Sequence, residues 1–286
     1  MPPHPKIRCR QINETDLEAV ADLLTRGFPE RPRKYWTNGL NKLRTRTPPE
    51  GCPRFGHVLE ADDAVVGAIL AIFSQRGDGP DASIRCNMSS WYVDPAYRAY
   101  ATLLISAGHR LKQATYLNVS AAAHTLPVIE AQGYRRYSQG QFAALPALSL
   151  GRGRASAFDP TASAHRALPE FELIEAHVSA DCVAAVCETD QGALPFVFLR
   201  RNIAYAPVGV LQLIYCRDTD SFVRCAGALG RFLLGRGVAC VLCDAEGPIP
   251  GLVGRFFKDK TPRYFKGPDR PRLNDLSHTE FVLFGL

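Results

Sequence analysis

The residues of this chain best suited to chemistry lie at positions 91–104. An apolar run at 90–93 breaks at Asp94-Pro95, and small residues then open a pattern with helical periodicity. A strand, a turn and a helix start in that order leave backbone N–H groups unpaired and aimed at one point, where an anion such as phosphate can bind. Arg98 adds a permanent charge on a planar fork that grips phosphate oxygens in pairs. Ala99 and Ala101 let a ligand come close to the backbone. Tyr92, His124, Tyr137 and Glu130 are the nearby groups that can carry a proton. His124, near the start of the next helix, is of the residue type best suited to giving or taking one near neutral pH. A histidine there can equally be a cap or a surface residue.

Positioning these groups needs an alternation of strands and helices. Residues 7–12 read as a strand, and Asp16 enters a helix with Leu17, Val20, Ala21 and Leu24 at helical spacing. A second helix is expected over 35–43. Residues 55–60 and 65–73 form strands joined at Asp62-Asp63, a tight hairpin signal. A strand over 84–93 leads into a helix over 96–112, then a strand over 115–119. A helix over 123–132 stops at Gly133, and 135–143 returns as a strand. From 149 to 165 the chain shows no periodicity and reads as a linker. The second half repeats the theme with strands at 196–199 and 204–216, a helix over 222–234 ended by Gly235 and Gly237, and a strand over 238–243. A short helix at 251–258 and a last strand at 281–284 complete it. Arg136-Tyr137 and Arg263-Tyr264 both sit in an RYxxG echo, a mark of duplication.

This element order, and the turn at its centre, resemble the GCN5-related N-acetyltransferase superfamily. The family's pyrophosphate turn reads Arg/Gln-x-x-Gly-x-Gly/Ala, and here it reads Arg98-Ala99-Tyr100-Ala101-Thr102-Leu103. The resemblance implies an α/β (α+β) chain of two domains of this family's type, each a mixed central sheet flanked by helices. They would span 1–148 and 169–286, with a linker at 149–168. The resemblance is close over 7–143 and holds in outline over 170–286.

It implies acetyl-CoA or another acyl-CoA as co-substrate and no metal. The acyl-CoA would be held by Trp91, Tyr92, Val93, Arg98, Ala99, Tyr100, Ala101, Thr102, Leu103 and Asn118, where strand 91–93 splays from the strand at 117–120. The implied reaction moves an acetyl or short acyl group to an amine on a small molecule or peptide, with His124 and Tyr92 as the proton-carrying candidates. Neither nucleic acid nor membrane is an expected partner. The sequence departs from the family in two places. The strand before the turn, Cys86-Asn87-Met88-Ser89-Ser90-Trp91, has no carboxylate, and Ile129 stands where a tyrosine acid is usual.

Two other readings stay open. One is a non-catalytic acyl-CoA sensor or interaction protein. The other is a tRNA- or nucleic-acid-associated transferase, suggested by the interleaved basic and aromatic residues at 255–272. In the second half, Asp218 and Asp220 stand where the turn would lie and would repel phosphate.

Composition agrees with a globular protein. Of 286 residues, 46% are hydrophobic and 22% charged, which argues against disorder. The net charge of +6 is mild and suits an anionic ligand. Nine cysteines in mostly apolar contexts read as buried thiols in a reducing compartment. The CxxC at Cys240 and Cys243 lies in a strand-like run whose alternate residues face opposite ways, a poor start for a zinc site. No apolar signal core opens the chain, and a cytoplasmic location is the expectation.

Overall fold

Val58, Leu59, Val66 and Ala68 are buried on either side of Asp62-Asp63, which takes the left-handed backbone a two-residue hairpin needs (φ 49° and 64°). The computed structural model describes residues 5–77, 82–151, 153–190, 192–202 and 208–285. By their internal contacts these form two compact units, Met1–Asn118 with Phe265–Asp269, and Val119–Tyr264 with Arg270–Leu286.

The first unit carries β1 (Ile7–Gln11), α1 (Leu17–Gly27), α2 (Arg33–Arg44), β2 (Gly56–Ala61), β3 (Ala64–Arg76), β4 (Ser83–Val93), α3 (Ala101–Gly108) and β5 (Thr115–Asn118). The strands run in the order β1-β2-β3-β4-β5. The first four pair antiparallel, and β5 returns parallel to β4 after the α3 crossover. Leu23, Leu24, Leu40, Leu43, Leu59 and Leu70 bury the helices against this sheet. Asp16 enters α1 as expected, yet its carboxylate goes to Arg10 (2.6 and 2.8 Å) and the Asn13 N–H (2.7 Å).

The second unit carries α4 (Leu126–Ala131), β6 (Arg135–Ala144), β7 (Arg154–Ala157), α5 (Ser163–Arg166), α6 (Phe171–Val178), β8 (Val183–Thr189), β9 (Gly192–Arg201), β10 (Gly209–Tyr215), α7 (Thr219–Leu234), β11 (Val238–Ala245), β12 (Gly254–Lys266, through Tyr264) and α8 (Glu280–Phe284). Its strands run β12-β6-β11-β10-β9-β8-β7. Here β8, β9 and β10 pair antiparallel, and β11 returns parallel to β10 after α7. That is the plan of β2, β3, β4, α3 and β5. Phe142, Phe196, Phe198, Leu213, Phe222 and Leu229 form its core.

Several sequence expectations change. The helix expected over 96–112 is a tight 3-10 segment (Pro95–Tyr100) followed by the shorter α3, and the one over 123–132 likewise opens as a 3-10 turn (Ala123–Thr125). The stretch expected as a linker holds β7 and α5. Its start lies across α7, close enough that a side chain on Gly227 would meet Ser149 O at 2.7 Å. The helix expected at 251–258 is the start of β12. Asp259 and Thr261 kink that strand with positive φ (60° and 46°), which blurs its alternation. The strand expected at 281–284 is the helix α8, entirely buried, where an apolar run has no period to read. In the strand expected over 204–216, residues 204–207 lie outside the described residues; the remainder gives β10. β8 and α6 had no sequence signal strong enough to propose. Among the described residues no helix is long and apolar enough to cross a membrane.

Candidate functional site

Pairing between β4 and β5 runs from Arg85–Thr115 to Asn87–Leu117 and stops there. Beyond this point β4 continues for six residues, Met88 to Val93, alongside β3, with a register shift between Ser89 and Tyr92. The two strands therefore fork. The side-chain amide of Asn87 sits in the crotch and donates to Met88 O (3.1 Å) and Leu117 O (3.4 Å). Just past the crotch β4 takes one extra residue, at Ser90, whose φ of 51° marks a bulge. A bulge breaks the ladder locally and re-aims the residues beyond it, here Trp91 to Val93. The Ser89 and Ser90 hydroxyls lie 2.9 Å apart.

β4 ends at Asp94, which does not cap the following turn with its side chain; nor does any side chain cap α3. The Asp94 carboxylate instead accepts from Arg26 (2.9 Å). The N-terminal N–H groups of this segment are thus uncapped by side chains, and the helix dipole adds to their pull on an anion. Arg98, Ala99, Thr102 and Leu103 are exposed; Tyr100 and Ala101 are half-buried. Arg98 has no carboxylate partner among the described residues. Leu103, the bulkiest departure from the family's turn, is 43% exposed.

Trp91 and Tyr92 are half-buried and Val93 is buried. The Trp91 Nε1 donor is shielded from solvent and has no hydrogen-bond acceptor among the described residues, so it is a donor held ready. The Tyr92 ring packs over Gly27 and lies 6.2 Å from Phe28, which in turn stacks at 5.4 Å on Trp36. Burial, together with the Asp94 carboxylate and a hydrogen bond to it, pushes the Tyr92 phenol up from its ordinary value. It stays protonated at neutral pH, which fits a proton donor and not a base.

Asn118 ends β5, half-buried. His124 belongs to the second unit, exposed on its 3-10 turn and without a partner among the described residues. Glu130, also of the second unit, accepts from Tyr264 OH (2.8 Å). Tyr134 fills a core position. The first unit thus brings together Trp91 to Val93, the turn at 94–103 and Asn118.

The second unit has the same fork. Pairing of β10 with β11 ends at Gln212–Leu242. The Gln212 amide donates to Leu213 O (3.4 Å) and Leu242 O (3.1 Å), the placement of Asn87 repeated. This fork is filled by the chain itself. Leu276 N donates to Ile214 O (2.8 Å), Asp275 bridges to Tyr215, and the Asn274 side chain accepts from Asp244 N (2.7 Å) and donates to Asp244 O (3.2 Å). The helix start is also closed. Asp218 accepts from Ser221 N (2.6 Å) and Ser221 Oγ (2.9 Å) at the first turn of α7. The sequence pointed to the carboxylates there; it held no sign that residues 274–276 occupy the fork.

The basic and aromatic run at 255–272 does not form one cationic face. Arg263 is fully buried, paired with Asp244 (2.9 and 3.0 Å), bonded to Val119 O and set over the Phe281 ring. All nine cysteines are free thiols.

A forked sheet with a bulged strand and an uncapped turn defines a class of fold. Among solved structures the chain is similar to a GCN5-related N-acetyltransferase from Kribbella flavida (TM-score 0.58, 17% identity, covering 92% of this chain and 71% of that one). It is also similar to a GCN5-related N-acetyltransferase from Anabaena variabilis (0.57, 11%, 91% and 72%) and to Eis1 from Mycobacterium abscessus (0.53, 12%, 95% and 74%). No family model matches the sequence, and no curated protein matches it significantly. The chain has the GCN5-related N-acetyltransferase fold, and the likeness runs through both halves.

Proposed function

We propose that the protein is an acyltransferase that moves an acetyl or short acyl group from acyl-CoA to an amine, using one acyl-CoA site, in the first unit. The observation that carries this reading is the contrast between the two forks. Both have the same strands and the same amide in the crotch. One is filled by residues 274–276 and has its helix start capped by Asp218; the other has, among the described residues of its unit, no such plug and no side-chain cap. The repeats of the tandem are then residues 1–148 and 169–286, joined through 149–168, each with its own antiparallel strands and parallel crossover.

In this reading the pyrophosphate rests on the turn at 94–103, gripped by Arg98, with Ala99, Tyr100, Ala101, Thr102 and Leu103 supplying backbone. The pantetheine lies along Trp91 to Val93, opposite Asn118, and the Trp91 indole N–H has a carbonyl to meet. The amine attacks the thioester carbon, the tetrahedral intermediate collapses, and the departing CoA thiolate takes a proton from Tyr92. His124 is the remaining candidate for receiving the amine's proton. An amine that arrives uncharged needs no base, because placement alone supplies much of the rate.

The test is release of free CoA from acetyl-CoA across a library of amines, read with a thiol reagent. Thiol released with one amine class supports transfer and names the acceptor. Thermal stabilisation by acetyl-CoA with no thiol released by any amine favours the second reading, a non-catalytic acyl-CoA sensor. That reading draws on the missing carboxylate in the strand 86–91.

A further inference from the structure

Most large apolar side chains of the second unit are in its core, but four exposed ones gather at one place. Leu148 is 67% exposed, Leu150 93% and Val253 44%, and Leu145 stands beside them. Two chain segments bring them together. Leu145 N donates to Val253 O (2.8 Å) and Val253 N donates to Ser149 Oγ (2.9 Å), which ties residues 145–149 to the loop before β12. The first turns of α7 form the floor through Val223 and Arg224, and the turn after β8 closes the far end with Thr189 and Asp190. The groove, open to solvent on one side, has a volume of about 760 Å³, in the range of sites that hold a small organic ligand.

Contiguous exposed apolar surface with a polar rim marks a binding site. The charge at the rim says what kind. Arg224 is exposed, its guanidinium meets only the Ser221 hydroxyl (3.1 Å), and it has no carboxylate partner among the described residues. Asp190, the carboxylate in the lining, opposes a doubly charged head. A single negative charge on an apolar chain satisfies both conditions.

We propose that this groove of the second unit is a separate site for a monoanionic amphiphile, an apolar chain ending in a carboxylate that pairs with Arg224. The chain lies against Leu148, Leu150, Val223, Leu252 and Val253. The site is independent of the acyl-CoA site of the first unit.

The test is calorimetric titration of the full chain with decanoate, decanol and decyl phosphate, with sedimentation to read its mass. Decanoate binds saturably, one per chain, and more tightly than the other two. Arg224→Gln weakens decanoate about tenfold, the loss of one charge-assisted contact, and leaves decanol unchanged. Leu150→Asp weakens both. Arg98→Glu, in the other unit, leaves decanoate binding untouched, so this proposal and the acyl-CoA reading fail separately. Arg224 and Leu150 are exposed, and both variants keep the parent melting temperature. Absence of saturable decanoate binding overturns the proposal. So does binding lost in Arg98→Glu, or a dimer that Leu150→Asp dissociates, which makes the face a contact between two copies.

Discussion

Reversing the charge of Arg98 is the sharpest test of the acyl-CoA site. The side chain is exposed and has no carboxylate partner among the described residues, so Arg98→Glu leaves the unliganded protein as stable as before. Its effect falls on the ligand. Two charge-assisted hydrogen bonds to a phosphate contribute about 2 kcal/mol net at a solvated site. A glutamate there adds roughly 1 kcal/mol of repulsion. The sum of about 3 kcal/mol weakens binding more than a hundredfold. Acetyl-CoA at a hundred times the parent Kd stabilises the parent by about 2.7 kcal/mol, and at the same concentration the variant keeps about 0.3 kcal/mol. In melting temperature this is a shift of roughly 5–10 °C collapsing to about 1 °C. Differential scanning fluorimetry with and without acetyl-CoA measures it. A variant that keeps the full shift refutes the phosphate site at this turn.

Other consequences are open to direct measurement. Tyr92→Phe lowers kcat about 10- to 100-fold with little change in KM, because the phenol acts as thiolate departs and does not anchor the ground state. Since its pKa is raised, the parent rate loses this acid only above the ordinary tyrosine range, and a pH–rate profile shows whether that limb vanishes in the variant. Arg263→Met leaves Asp244 charged and buried and costs about 3–5 kcal/mol in denaturant unfolding, while the double variant with Asp244→Leu recovers much of the loss. Asp16 is held below the usual carboxylate range by Arg10, with the Asn13 N–H assisting. Its folded pKa is depressed, so its contribution is complete above the unfolded value, near 4, and is lost as pH falls through the folded one. Asp16→Asn accordingly destabilises at pH 7, and the difference from the parent shrinks as the pH falls through the folded pKa.

Much of the first unit was legible along the chain because its signals are local. The hairpin at Asp62-Asp63 and the strand-turn-helix order around Asp94 depend on backbone preferences that a few neighbouring residues settle. The second half was less legible. β12 hides its period behind two positive-φ kinks, and α8 is buried on every side, so neither carries the alternation by which a strand or helix is recognised. The stretch at 149–165 lacked periodicity because its start packs on α7, where a glycine of that helix, not apolar residues in the segment, makes the close approach. Arg263 stood among basic residues in sequence; only its ion pair with Asp244 separates it from them.

The sequence by itself determined that a turn and helix start carrying Arg98 follow an apolar strand, and that the chain carries a second, altered version of the same plan. Those properties are set by residue types within ten or so positions of one another. The tertiary structure alone decided that each pair of strands parts at a side-chain amide and that the fork between β10 and β11 is filled by the chain itself. That depends on residues 274–276 pairing with β10, some sixty positions earlier in the chain, and on side-chain amides at Asn87 and Gln212 that reach across strands. Backbone hydrogen bonds between such distant segments leave no periodic trace in either one, because each partner contributes only its main chain.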